Sequence, residues 1–187
     1  MNQPIRIVGF SGSLRTGSYN TAALKVAQSL APEGVSIDIV DISQLPLYNN
    51  DADRDGPPEA VKTFLAQVAN ADGFLFVTPE YNYSVSAPLK NAIDWASRGR
   101  PQPFNDKAAA IMGASMGALG TARAQYHLRQ IGVFLNLHFV NKPEVMIGAA
   151  HTKFDAEGNL TDETTRTFIQ QLVESLVKLA RRLKASA

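Results

Sequence analysis

The sequence predicts an α/β fold, a three-layer α/β/α sandwich in which a five-stranded parallel sheet lies between two layers of helices. Five short apolar runs alternate with five helical patterns along the chain. This order is typical of a parallel sheet that is covered on both faces. The chain has 187 residues, without an internal repeat or a linker, so we expect a single domain over residues 1–187.

The strand predictions rest on apolar runs that end at glycine, proline or polar turns. The run at 73–78 (GFLFVT) is almost wholly apolar, whereas 35–40 alternates apolar and polar residues. The last strand contains Pro143, which should bend or interrupt it. The predicted strands cover residues 5–10, 35–40, 73–78, 108–113 and 138–147.

The helix predictions rest on apolar residues that recur at helical spacing. A proline- and acid-rich loop is predicted at 45–58, between the second strand and the next helix. In the last helix, Thr161 is the expected N-cap, and Phe168 is expected on the buried face with four leucines. The helical patterns cover residues 20–30, 61–68, 88–96, 121–134 and 162–184.

The composition excludes several classes of function. Eighteen Lys and Arg balance 17 Asp and Glu, a net charge of +1 that offers no basic footprint for nucleic acid or a membrane surface. The chain has no cysteine, so disulfides, thiolate catalysis and cysteine-held metals are excluded. Its three histidines lack ligand spacing. No metal site and no catalytic side chain is predicted, so redox chemistry would need an organic cofactor or a weakly held metal.

The location is expected to be cytoplasmic. The longest uncharged stretch, 108–122, contains three glycines and is too short to span a bilayer. The segment 1–6 lacks the basic start and apolar run of a secretory signal.

Three unusual loops follow predicted strands, at 11–20, 79–84 and 114–120. Ligands of open parallel sheets bind beyond the carboxyl ends of the strands. The three loops are therefore expected to meet at one edge of the sheet and to form one site.

The first loop, SGSLRTGSYN, has the chemistry of a phosphate cradle. Gly12 and Gly17 permit tight backbone turns, several hydroxyls can donate hydrogen bonds, and Arg15 can hold phosphate oxygens with two N–H groups. The helix that follows directs its free N–H groups to the same place. The alternative is a polar turn in which Ser18 only caps that helix.

Two other nucleotide motifs fail on this loop. Ser18 and Tyr19 stand where a Walker motif has Lys and Ser or Thr, and a G-x-G-x-x-G fingerprint is missing. A single terminal phosphate, as on a mononucleotide, therefore fits best.

The other two loops could hold a planar ring. Pro79 and Tyr81 can supply an apolar wall, and backbone amides near 80–82 can reach the ring edge. The loop 114–120 is small enough to lie against a flat ring. The alternatives are a packed proline–tyrosine corner and an ordinary strand-to-helix turn.

Together these segments resemble the NAD(P)H-dependent FMN reductase family, in particular its quinone and chromate reductase branch. Thr121 departs from the pattern, because many relatives carry a second glycine after Gly120. The matching segments are GSLRTGSYN at 12–20, LPLY at 45–48, TPEYNYS at 78–84, LKNAIDW at 89–95, SMG at 115–117 and QYHLRQ at 125–130.

The resemblance implies a flavodoxin-like fold and assigns roles to individual residues. It places Ser13, Arg15, Ser18 and Asn20 on the FMN phosphate, in a loop whose turn depends on Gly17. It places Pro79, Glu80, Tyr81 and Asn82 along the isoalloxazine ring, with Ser115 and Gly117 on the other flank. Relatives are usually homodimers or homotetramers, so the helix that carries Trp95 is a candidate interface element; the alternative for Trp95 is core packing.

The predicted function is that of an FMN-dependent NAD(P)H oxidoreductase that acts in two half-reactions, one with NADPH or NADH and one with an acceptor. The small-molecule acceptor is expected to be a quinone, with chromate, ferric complexes and free flavin as further candidates. One alternative is a flavodoxin-type electron carrier, although such carriers are strongly acidic and this chain is not. The other is a regulatory module that binds a nucleotide without turnover.

Overall fold

A parallel sheet forms the centre of the structure, a computed structural model that describes residues 3–186. The elements are β1 (Ile5–Ser11), α1 (Tyr19–Ser29), β2 (Val35–Val40), α2 (Asn50–Arg54), α3 (Glu59–Ala69), β3 (Gly73–Val77), β4 (Glu80–Tyr81), β5 (Ser84–Val85), α4 (Ala87–Ala96), β6 (Ala108–Ala114), α5 (Ala122–Phe134), β7 (His138–Phe139), β8 (Val145–Ile147) and α6 (Glu163–Lys184), with a 3-10 turn at Ala150–Thr152.

The strand order places a binding edge beside β1. The sheet runs β2-β1-β3-β6-β7, all parallel, and β8 pairs with β6 beyond the end of β7. β2 lies on one side of β1 and β3 on the other, so the strand order changes direction at β1. The loops that follow β1 and β3 therefore diverge and leave a crevice at the carboxyl ends of these strands. The predicted α/β/α sandwich is confirmed.

Each face of the sheet is buried under helices because successive strand residues point to opposite faces. On one face, Ile7 and Leu75 pack with Leu24 of α1 and Leu176 of α6. The opposite face is aromatic, and the ring of Phe10 stacks on that of Phe76 with 5.1 Å between centroids. Helices α3, α4 and α5 cover this second face.

The predicted fifth strand is divided in two. β7 and β8 both pair with β6, so the sheet contains six strands in five positions. Pro143 lies between them and has no backbone N–H to give to a ladder. The predicted interruption at Pro143 is confirmed, but residues 138–147 form two short strands and not one.

Two small elements lie inside predicted loops. Helix α2 falls within the loop 45–58, where the Asn49 side chain accepts a hydrogen bond from the N–H of Asp51. The segment 79–84 forms most of the β4–β5 hairpin. Both elements are too short to show a periodic apolar pattern.

The last helix differs from its prediction at two residues. Asp162, not Thr161, is the N-cap, since the N–H of Thr165 donates to its carboxylate at 2.8 Å. The Thr161 hydroxyl donates instead to the carbonyl of Lys153. Phe168 is 45 % exposed, because the buried stripe is centred on Ile169 and Val173 and Phe168 lies at its edge.

The single tryptophan belongs to the core. Trp95 is fully buried, its indole N–H donates to the carbonyl of Pro46 at 2.8 Å, and its ring meets that of Tyr48 edge-on. Trp95 itself therefore packs in the core, and an interface role for the helix that carries it stays a prediction. Among residues 3–186, no helix is long and apolar enough to cross a membrane.

The cap at Asp162 gives a stability prediction. Hydrogen bonds from the side chain and N–H of Thr165 hold the pKa of Asp162 below its usual range. A lowered pKa stabilises the folded state at neutral pH, and this contribution is lost as the pH falls through the folded-state pKa. Asp162→Ala should lower the free energy of unfolding by about 1 kcal/mol at pH 7.

Asp162→Asn is the matched control, because asparagine caps helices about as well without a titrating charge. Urea unfolding between pH 3 and 7 should show a smaller loss for Asn than for Ala, with a weaker pH dependence than the native chain. Equal losses in the two variants would show that charge, not capping, matters here.

Candidate functional site

A cleft at the carboxyl edge of the sheet brings the three predicted loops together. Its volume is about 360 Å³, near the lower limit of typical ligand pockets. Eight of the eleven predicted site residues line the cleft: Ser13, Arg15, Ser18, Asn20, Pro79, Glu80, Tyr81 and Ser115. Tyr19, Ala114 and Met116 complete the lining. Of the other predicted residues, Gly17 lines an adjoining groove, and Asn82 and Gly117 lie in the loops that form the cleft but not in its lining.

The first loop is held tightly against its neighbours. The N–H of Gly12 donates to the carbonyl of Val77, and the hydroxyl of Ser86 donates to the carbonyl of Gly12 at 2.7 Å. A Cβ at Gly12 would lie 3.1 Å from Cδ of Pro79 and closer still to the Ser86 hydroxyl. A side chain therefore cannot be added at residue 12 without moving the second loop.

Ser18 caps the helix and keeps a hydrogen-bond donor available. Its hydroxyl oxygen accepts hydrogen bonds from the N–H groups of Asn20 and Thr21, at 3.2 and 3.4 Å, and so caps α1. Because the oxygen accepts in these bonds, the O–H of Ser18 remains able to donate to a ligand. Gly17, at φ +67°, supplies the left-handed turn that brings the chain to this cap.

Asn20 uses its side chain to join two of the loops. Its amide group donates to the carbonyl of Ala114 at 3.0 Å and accepts from the N–H of Ala114 at 2.8 Å. Asn20 is 5 % exposed. These bonds position the start of α1 against the end of β6, and they use one of the two N–H groups of the Asn20 amide.

Arg15 is the cation of the cleft. It is exposed, its guanidinium donates to the carbonyl of Thr16 at 3.1 Å, and it lies 5.7 Å from the centre of the Tyr19 ring. Within residues 3–186, no carboxylate forms an ion pair with it. An anion at this end of the cleft would therefore meet an unneutralised guanidinium.

The second loop is a hairpin whose turn has a left-handed backbone. Asn82 and Tyr83 have φ values of 50° and 67°, as in a type I′ turn. This conformation suits asparagine but is costly for tyrosine. The guanidinium of Arg123 lies 3.7 Å from the centre of the Tyr83 ring and so stabilises the turn from α5.

Glu80 fixes the same hairpin to the start of α5. One carboxylate oxygen accepts from the N–H groups of Arg123 and Ala124 at 3.0 and 3.3 Å, and the other pairs with the Arg123 guanidinium at 2.9 Å. The N-cap residue of α5, Thr121, makes no side-chain cap bond of its own. Glu80 thus caps a helix that begins 42 positions further along the chain, and its carboxylate is engaged by α5.

The third loop is held by the segment that follows β8. The N–H of Ser115 donates to the carbonyl of Ile147, and the carbonyl of Ser115 accepts from Ala150. The N–H of Gly117 donates to the Ser115 hydroxyl at 3.1 Å, and the carbonyl of Gly117 accepts from Ala149. Their side of the cleft therefore depends on residues 147–150.

Sequence reasoning missed Arg123, Ser86 and the segment 147–150. Their partners lie far away in the sequence and leave no local pattern. Gly120 was a signal for the segment 147–150, because a residue with a side chain would not fit there. Its φ is +53°, and a Cβ at this position would lie 2.7 Å from the backbone N of Ile147.

The strand order and the cleft define the class of protein. The order matches that of flavodoxin-like proteins, with a mononucleotide-sized cleft at the switch point. Residues 5–152 match the family described as NADPH-dependent FMN reductase. The chain belongs to this family.

Relatives along the whole chain agree with this result. A Pseudomonas aeruginosa protein named as an NAD(P)H-dependent FMN reductase is 56 % identical, covering 98 % of this chain and 100 % of that protein. An Arabidopsis thaliana NADPH:quinone oxidoreductase is 50 % identical over 96 % of this chain and 94 % of the plant protein. The solved structure of FerB, a flavoenzyme NAD(P)H:(acceptor) oxidoreductase from Paracoccus denitrificans, superposes with a TM-score of 0.85 at 34 % identity, covering 95 % and 98 % of the two chains.

The predicted family, flavodoxin-like fold, oxidoreductase class and FMN and NAD(P)H cofactors are thereby confirmed. The residues of the cleft also fit FMN. The first loop offers hydroxyls, helix N–H groups and an arginine, which suit a phosphate. The second and third loops offer proline, tyrosine and methionine, which suit a flat ring. The one carboxylate of the lining is engaged with α5. Within the described residues, no cluster of His, Asp and Glu could hold a metal ion.

The contact between Arg123 and the hairpin can be tested through FMN binding. Arg123→Met removes the ion pair to Glu80 and the charge over Tyr83 but keeps the backbone N–H bonds to Glu80, so the hairpin should be held less tightly. We expect FMN to bind more weakly by about 1 kcal/mol, roughly fivefold in the dissociation constant, measured by flavin fluorescence titration.

Arg129→Met is the matched control. Arg129 lies on the same helix, donates to the carbonyl of Val140 at 3.0 Å and lies over the Phe139 ring, away from the hairpin. It should leave FMN affinity unchanged. An unchanged affinity in Arg123→Met, or equal losses in both variants, would contradict the positioning role of Arg123.

Proposed function

We propose that this chain is an FMN-dependent NAD(P)H:quinone oxidoreductase, with chromate, ferric complexes and free flavin as further acceptors. The observation that carries the proposal is one cleft in which a phosphate-type loop and a ring-type hairpin meet. The Arabidopsis thaliana relative, named as an NADPH:quinone oxidoreductase, supports the acceptor class.

The phosphate of FMN would lie in the first loop. There Ser13 and Ser18 offer hydroxyls, Arg15 offers a free guanidinium, and α1 presents the positive end of its dipole. Gly17 shapes the loop, and Asn20 holds it against Ala114.

The ring of FMN would lie between the second and third loops. Pro79 and Tyr81 form the apolar wall, and the backbone of Glu80 and Asn82 offers polar groups to the ring edge, because the Glu80 carboxylate is already used. Ser115 and Gly117 would contact the opposite flank.

When bound, FMN supplies the chemistry of accepting two electrons as hydride from the nicotinamide and passing them to the acceptor. The net reaction is NAD(P)H + H⁺ + quinone → NAD(P)⁺ + hydroquinone. The protein positions both substrates in turn. Tyr81 and Met116 are 52 % and 65 % exposed at the mouth of the cleft, where an aromatic donor or acceptor can stack. No side chain is assigned a proton-transfer role.

The electron-carrier alternative is disfavoured. A carrier needs a strong field to steer it to protein partners, whereas this chain has a net charge of +1. The same charge balance favours small-molecule partners over nucleic acid.

We also propose a homodimer or homotetramer in the cytoplasm, with residues 1–187 acting as one FMN-binding domain. Tyr126, Val133 and Phe134 on α5 are large apolar side chains that remain 56–80 % exposed, as at an association surface. A nicotinamide donor has to be reduced again by metabolism after each turnover, which favours the cytoplasm.

FMN identity and Arg15 can be tested together. Denaturation of the purified protein should release FMN and not FAD. Arg15→Ala should weaken FMN binding by about 1.5–3 kcal/mol, the range for hydrogen bonds to charged groups. Arg182→Ala, an exposed arginine on α6, is the control and should bind FMN normally. Recovery of FAD, or an Arg15 variant with native affinity, would contradict the assigned site.

The kinetic mechanism tests the function itself. Initial rates with NADPH or NADH and a benzoquinone should give parallel lines in double-reciprocal plots, because one open cleft serves donor and acceptor in turn. Intersecting lines would require both substrates to be bound at once. A protein that holds FMN but is not reduced by either nicotinamide would support the carrier instead.

A further inference from the structure

A second groove lies beside α1 and continues from the cleft. Its volume is about 610 Å³, and it runs between α1 and the segment before α6. Arg15, Ser18 and Tyr19 line both spaces. A ligand in this groove would therefore begin where the proposed FMN phosphate ends.

Three cations line the groove: Arg15, Lys25 and Arg166. None forms an ion pair with a carboxylate in the part of the chain that the structure describes. Glu157 is the one acidic residue in the lining. Because Arg15 would pair with the FMN phosphate in the loaded protein, Lys25 and Arg166 against Glu157 leave the groove a net charge of about +1. Arg166 is half-buried and forms no ion pair within residues 3–186, which favours an anionic ligand here.

The nearby acidic side chains have other partners. The Asp155 carboxylate accepts from the N–H and the side-chain amide of Asn159 at 2.7 and 3.0 Å. Asp162 accepts from Thr165, and its nearest cation is Lys153 at 3.9 Å. Both carboxylates are therefore held by other groups, and within residues 3–186 neither forms an ion pair with Arg166.

The groove also has an apolar wall. Tyr19, Val26 and Leu160 contribute to the lining. The Tyr19 ring is held by that of Phe154, with 5.4 Å between centroids. A small inorganic anion would gain nothing from this wall, whereas a nucleotide would place its base there and its phosphate on the cations.

We propose that this groove binds the 2′-phosphorylated adenosine end of NADPH and makes NADPH the preferred donor. The inference rests on the proposed function. A dinucleotide whose nicotinamide meets the ring end of the cleft is too long for that cleft, and the adjoining groove offers the space for its other end. The 2′-phosphate is the group that NADH lacks, so contacts to it discriminate between the donors.

Lys25 and Arg166 provide the test, because they line only the groove and not the cleft. The double variant Lys25→Gln/Arg166→Gln is compared with Lys178→Gln/Arg182→Gln, which removes two charges from the exposed side of α6. Calorimetric titration of FMN-loaded protein with 2′,5′-ADP should give binding that is at least tenfold tighter than that of 5′-AMP. The groove variant should lose that difference, and the control should keep it.

Kinetics should show the same discrimination. In the groove variant, KM for NADPH should rise about tenfold, while KM for NADH, kcat and the dissociation constant of FMN stay unchanged. The inference is overturned if 2′,5′-ADP binds no better than 5′-AMP, if the groove variant binds it normally, or if KM rises equally for both donors. Tighter binding of FAD than of FMN would also overturn it, because the groove would then hold the adenosine half of the flavin.

These outcomes are separable from failure of the proposed function. Absence of FMN binding, or no oxidation of either nicotinamide with quinone by the native chain, would contradict the proposed function. Loss of the preference for NADPH alone would leave that function intact.

Discussion

Two hydrogen bonds between the Asn20 side chain and the backbone of Ala114 join the first loop of the site to the third. These two loops are the parts of the site that lie furthest apart in the sequence. The bonds connect the start of α1 to the last residue of β6, across 94 positions of sequence. All four polar atoms lie in a buried setting, where an unpaired donor or acceptor costs about 1–3 kcal/mol. The first and third loops therefore cannot separate without leaving buried polar groups unpaired, and the geometry of the cleft follows from this contact.

Glu80 makes the corresponding connection for the second loop. Its carboxylate replaces the missing side-chain cap of α5 and also pairs with Arg123, which lies over Tyr83. One helix thus stabilises both the position of the hairpin and its left-handed turn. Because β4 and β5 form only a two-stranded pair, which is marginal alone, the hairpin depends on α5 for its shape.

The sequence predicted the parts of the fold that local patterns encode. Apolar runs located the strands of the central sheet, and a rule about strand ends correctly brought the three loops to one edge. The sequence did not predict the Asp162 cap or the exposure of Phe168. Adjacent residues can each cap a helix or lie on its buried face, and tertiary packing decides which of them does so. Trp95 shows the same limit, since its partner Pro46 lies 49 positions away.

The roles of the site residues were harder to predict than their location. Ser18, Asn20 and Glu80 all line the cleft, yet each uses polar atoms to hold another element in place. A sequence motif records that a residue is present but not which of its atoms are free.

The engagement of Glu80 also determines the electrostatics of the cleft. A free carboxylate in the cleft would repel an anionic cofactor by Coulomb's law. The N–H groups of Arg123 and Ala124, with the Arg123 guanidinium, offset that charge at its source. At the opposite end, Arg15 forms no ion pair with any carboxylate of the described residues 3–186. The cleft therefore presents positive potential at the end suited to phosphate and a nearly neutral surface where a flat ring would lie, although the chain as a whole carries almost no net charge.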